Sequence, residues 1–187
     1  MKFNIKLSIL FMAITPFSSF AGGSEQGFNE TFNLQGITFH VNSDNSSSVN
    51  QLTITPSGLS IDNSVIKREI EGVVTGAEIA DIDLNGSPEI YVYINSVGSG
   101  SYGEVIAYSA NKKKSLSEIY IPPLKDNKGY MGHDRYAVVE TNFHRQFPIY
   151  LDGDNNANPT GGIKIIQYKL IAGEASWKME PFKSTIY

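Results

Sequence analysis

The chain contains no cysteine. No disulfide can staple its fold, and a zinc site loses its commonest structural ligand. A lipid anchor on an N-terminal cysteine is excluded as well. Histidine is scarce: His40, His133 and His144 are the only three, and no two stand at a metal-ligand spacing such as H-x-x-x-H. Tryptophan occurs once, at Trp177, within the last strand candidate. Beyond the N-terminus no window of about a dozen residues carries an apolar stripe at the 3.6-residue period, so amphipathic helices are not expected. Positive charge is in deficit, with 15 Lys and Arg against 19 Asp and Glu and a net charge of −4. Without a basic stripe, nucleic acid is excluded as a partner.

What is present begins with an export signature. Lys2 and Lys6 flank the start of an apolar stretch from Leu7 to Ile14, followed by Pro16 and small residues ending Ser19-Phe20-Ala21. A basic head, a short apolar segment and a small-x-Ala site read as a cleaved signal peptide over residues 1–21. The apolar stretch is too short to span a bilayer. Cleavage after Ala21 would leave residues 22–187, a length suited to one domain, with no membrane attachment and a periplasmic or secreted location. It would remove two lysines and no acid, making the mature chain more acidic and better matched to a cationic partner.

The rest reads as short strands punctuated by Gly, Pro and Asn. Candidates fall at 31–41 (broken at Gln35-Gly36), 49–55, 58–61, 65–70, 72–80, 89–95, 104–109, 117–121, 135–140, 145–150, 162–171 and 175–180. Many short strands without helices predict an all-β, single-domain antiparallel β-sandwich with long functional loops. A homodimer through an edge strand or sheet face would be compatible with this. Lys112-Lys113-Lys114 reads as a solvated hairpin tip.

Three segments could carry chemistry. The first is Gly98-Ser99-Gly100-Ser101-Tyr102-Gly103, between two strand candidates. It is longer than a hairpin needs, and Tyr102 is its lone aromatic. The pattern is formally G-x-G-x-x-G, but the phosphate-binding helix that must follow is missing, so the dinucleotide reading is rejected. A nucleophile elbow also requires a following helix, which leaves these serines poorly placed for hydrolysis. An inert polar loop is the plain alternative.

The second is Asp81-x-Asp83-x-Asn85-Gly86-x-x-Glu89. Oxygen ligands at alternate positions with Gly at the turn suit calcium, although Val92 stands where an EF-hand places its bidentate Glu. Asp81, Asp83, Asn85 and Glu89 are the candidate ligands; an Asx-rich turn that binds nothing is the alternative. The third, Asp152-Gly153-Asp154-Asn155-Asn156, is a weaker copy with Ala157 in place of Gly.

From about Val73 to Trp177 the chain resembles the periplasmic inhibitors of invertebrate-type (i-type) lysozyme. The resemblance lies in an ordered series: 74–78, 81–93, the 98–103 loop, 114–123, Gly129-Tyr130-Met131-Gly132-His133-Asp134, Phe147-Pro148-Ile149-Tyr150, 159–162 and 166–170. It implies a β-sandwich that blocks a lysozyme, has no catalytic residues and needs no cofactor. The Ser-Gly-x-Tyr loop would enter the enzyme's cleft. Ser99 and Tyr102 would make the recognition contacts, with Gly98, Gly100, Ser101 and Gly103 shaping the loop. A calcium-dependent carbohydrate or peptidoglycan binder using the Asp81–Glu89 loop is the alternative from a different class, and a cell-wall hydrolase is a third.

Overall fold

Alternation of apolar and polar residues builds the first sheet. In strand β2, Ile37–Ser43, every second residue is buried, beginning with Ile37, Phe39 and Val41. A two-residue turn at Gln35-Gly36, both at positive φ, joins β2 to β1, Phe28–Leu34. Paired positive φ values match the right-handed twist of the strands they connect. Strands β3, Val49–Ser57, and β4, Ile66–Glu71, complete a four-stranded antiparallel meander. These are features of a computed structural model that describes residues 27–174 and 176–187; the expected signal peptide lies outside the described residues.

The remaining strands are β5 Val73–Ala80, β6 Glu89–Asn95, β7 Gly103–Asn111, β8 Ser115–Tyr120, β9 Arg135–Val139, β10 Asn142–Pro148, β11 Ile163–Ala172 and β12 Trp177–Ile186. They form one eight-stranded sheet in the order β5-β6-β7-β8-β12-β11-β10-β9. The described residues contain no helix, so none is long and apolar enough to cross a membrane. The fold is all-β, two packed sheets, as the strand pattern predicts. Two expectations are corrected. The sheet is not wholly antiparallel: β8 pairs β12 in parallel through Ile119–Trp177 and Tyr120–Lys178. After β8 the chain crosses to the far edge and builds inwards, so its last strand meets β8 running the same way. Residues 58–61 form no strand, because the Asn63 side chain bonds both the N–H and the carbonyl of Leu59 and holds the segment as a loop.

Strand β6 is central. Ile90, Val92 and Ile94 face the four-stranded sheet and join Phe39, Leu52 and Ile54 in one core. Tyr91 and Tyr93 face the other way into a second core, with Phe143, Phe147 and Tyr168 from the far half of the eight-stranded sheet. That sheet therefore folds over on itself, and Tyr91 stacks on Phe143 at 5.4 Å between centroids. Burial on both faces explains why β6 reads as a continuous apolar run rather than an alternating one. Each fully buried aliphatic side chain of β6 contributes about 1.5–3 kcal/mol. The β6–β7 hairpin stands on this doubly buried base, and its last rung is Asn95 opposite Gly103.

Candidate functional site

The loop above that rung spans residues 96–102, and its shape is set from within and without. Inside it, the Ser96 N–H donates to the Tyr102 carbonyl at 2.8 Å, and the Tyr102 N–H to Ser96 Oγ at 2.8 Å. The Asn95 amide donates to Ser101 Oγ at 3.2 Å. A Cβ at Gly100 would lie 2.5 Å from the half-exposed Tyr102 ring, so a larger residue there would displace that ring. Gly103 is required by packing, because a Cβ there would meet the buried Asp134 side chain at 2.5 Å and the Tyr136 ring. Gly98 has open space around it and no positive φ, so neither packing nor backbone conformation requires glycine there.

From outside, the 129–134 segment holds the loop. The His133 N–H donates to the carbonyls of Gly100, at 2.8 Å, and Ser101, at 3.1 Å. At Gly132, φ is +90°, and a Cβ would sit 2.0 Å from the Gly100 oxygen. Two loops therefore touch backbone to backbone, which only glycine permits. Asn156, from a third loop, donates its amide to the Ser99 carbonyl, and its Oδ1 lies 3.0 Å from His133 Nε2.

Beneath lies a charged and aromatic platform. The buried Asp134 carboxylate accepts from the Gly103 N–H at 2.8 Å, the Tyr130 hydroxyl at 2.5 Å and Arg145 Nε at 2.7 Å. Arg145 also donates to the Tyr130 hydroxyl at 2.9 Å and lies over the rings of Tyr130, Tyr136 and Phe147. Burial, and then the bond to Asp134, hold the Tyr130 phenol above its ordinary pKa, so it stays a neutral donor. Tyr102 meets the Tyr130 ring edge-on at 5.7 Å and remains half exposed.

The sequence-derived residues thus come together at one tip. Ser99 and Tyr102 face solvent, and neither hydroxyl is hydrogen-bonded within the described residues. Ser101 is turned inward to Asn95. Sequence reasoning missed Tyr130, His133, Asp134, Arg145 and Asn156 as parts of the tip. Glycines on either side of Tyr130-Met131 were the available local signal for a second shaped loop.

The Asp81 segment lies apart. One oxygen from each of Asp81, Asp83 and Glu89 falls within 4.8 Å of the others. Asn85 is not aimed at them as a ligand: its amide donates to Asp83 at 2.7 Å, and its Oδ1 accepts from the Ser87 N–H. Asp81 accepts from the N–H groups of Asn85 and Gly86 and from the Gln35 amide. Lys112-Lys113-Lys114 does form the β7–β8 hairpin tip, but docked rather than free. Its carbonyls accept from Ser60, Ile61 and Asp62, and Lys113 Nζ donates to the Gln35 carbonyl at 2.8 Å.

No family model, curated protein or solved structure matches this chain.

Proposed function

We propose that the protein is an exported inhibitor of an i-type lysozyme, acting by occlusion and without catalysis in the periplasm or outside the cell. One observation carries the reading: a glycine-shaped loop, braced from three sides, holds two unengaged hydroxyls, Ser99 and Tyr102, at the tip of a rigid β scaffold. A lysozyme cleaves with two carboxyl groups that flank the scissile bond. A Ser or Tyr hydroxyl donating to one of them makes a charge-assisted bond, and the Tyr102 ring covers a sugar-binding surface. The excess of acidic residues favours encounter with a cationic enzyme.

In an inhibition panel the protein should block i-type lysozyme stoichiometrically and leave chicken-type and goose-type enzymes active. Tyr102→Ala or Ser99→Ala should weaken binding by about 2 kcal/mol each, if each is a hot spot. Undiminished inhibition by the double variant would remove the loop from the mechanism.

A second reading, calcium-dependent binding of wall carbohydrate, is favoured by the convergence of Asp81, Asp83 and Glu89. Calorimetric titration with calcium separates the two. Heat of binding with a raised melting temperature supports the second reading; no heat and no shift leave the segment a turn.

A further inference from the structure

The loop at 96–102 is tied at its root and again near its tip, by groups far apart in sequence. At the root, the Gly103 N–H enters the buried Asp134 carboxylate. Near the tip, the Ser99 carbonyl receives the Asn156 amide from 57 residues away. Asn156 is itself oriented. Its Nδ2 serves Ser99, so its Oδ1 is the acceptor for His133 Nε2, and the Tyr150 hydroxyl donates to its backbone carbonyl at 3.1 Å. The same His133 bonds Gly100 and Ser101 through its backbone N–H. Ser99 is thus fixed by a closed circuit through Asn156 and His133 back to its own loop.

We infer that Asn156 is a positioning residue, a clamp that sets the Ser99 end of the loop in its binding shape before a partner arrives. Its importance to recognition rests on the inhibitor reading; the clamp itself does not. Without it, a stretch of glycine and serine samples many conformers, and apparent affinity falls by the fraction that remains competent. The clamp also explains why such a flexible composition can serve as a recognition element.

Asn156→Ala removes both bonds. Asn156→Asp keeps an oxygen for His133 but turns a carboxylate toward the Ser99 carbonyl. Asn158→Ala, whose hydrogen bonds stay within its own loop, is the control. Both Asn156 variants should inhibit i-type lysozyme about tenfold more weakly, the worth of roughly one hydrogen bond. In the protein alone, hydrogen exchange at the His133 amide should quicken by about tenfold, while the melting temperature stays with that of the control. An unchanged His133 exchange rate overturns the clamp. Faster exchange with undiminished inhibition overturns its role in recognition. A melting temperature far below the control, with faster exchange throughout, makes Asn156 a general structural residue and overturns the proposal too. If the unaltered protein inhibits no lysozyme, the functional reading fails, and the exchange rates still decide the clamp.

Discussion

Asp134→Ala should lower unfolding free energy by about 3–5 kcal/mol, the cost of breaking a buried ion pair on one side. The Asp134 side chain is fully buried, and that of Arg145 is 12% exposed. Removal of the carboxylate strands a guanidinium among the rings of Tyr130, Tyr136 and Phe147. It also leaves the Gly103 N–H and the Tyr130 hydroxyl without their acceptor. Asp134→Ala combined with Arg145→Met should recover more than half of the loss, because an apolar replacement of both partners leaves no buried charge. Urea unfolding of the three proteins measures this. A single variant within about 1 kcal/mol of the parent would show that Arg145 finds water or another partner, and the platform would lose its place as the loop's foundation. Deletion of the pair should also release the loop root; on the inhibitor reading, binding should then weaken even in the stabilised double variant.

The same pair shows where sequence reading stops. Local patterns reached most of the strands. Alternation marks Ile37, Phe39 and Val41, its break at Gln35-Gly36 marks either two short strands or one bulged strand, which the structure resolves as a turn, and the β-branched and aromatic run at 90–94 marks the strand buried on both faces. They also marked the 96–102 loop, since Gly and Ser between two apolar runs cannot bury surface of their own. What they could not mark is which distant segments support that loop. Asp134 meets Arg145 only because β9 and β10 form a hairpin whose mouth lies under Gly103. Asn156 meets Ser99 only because the β10–β11 connection folds over the same end. These contacts depend on strand order, and strand order leaves little local trace. The parallel β8–β12 pairing has none. The 58–61 segment was misread for the converse reason: Leu59 and Ile61 suggest alternation, yet Leu59 alone is buried and Asn63 takes up its backbone. In the Asp81 segment the residue types were read correctly as oxygen-rich. Whether they serve a cation or the turn depends on where each oxygen points, and Asn85 points at its neighbours.

Stability should fall as pH rises from about 4.5 to about 8, and Glu89 should be the main cause. Its side chain is fully buried at the start of β6, beside the Asp81–Asp83 turn. Two neutral donors reach it, the Ile82 N–H at 3.1 Å and the Ser109 hydroxyl at 3.2 Å. Burial raises its pKa from 4.5 to about 8, with Asp83 and Asp81 adding repulsion against the two hydrogen bonds. The unfolded chain releases this proton near 4.5, whereas the folded chain keeps it until about 8. Between those values the folded state holds more proton, so each step up in pH favours unfolding. The stabilisation is complete below the lower value and lost above the upper one, on the order of 4 kcal/mol in all. Glu89→Gln should abolish most of that slope. A Gln can accept from Ile82 through its oxygen and donate to Ser109 through its amide, so both bonds survive with the Ser109 proton turned. At pH 8 the variant should match or exceed the parent in stability, and at pH 4.5 the two should be close. Urea unfolding across this range, in a chelating buffer, supplies the comparison; parallel slopes for the two proteins would refute the assignment. Repeating it with calcium sharpens the result. A cation held by Asp81, Asp83 and Glu89 would favour the ionised carboxylate and reverse the sign of the slope, whereas a turn that binds nothing would leave it unchanged.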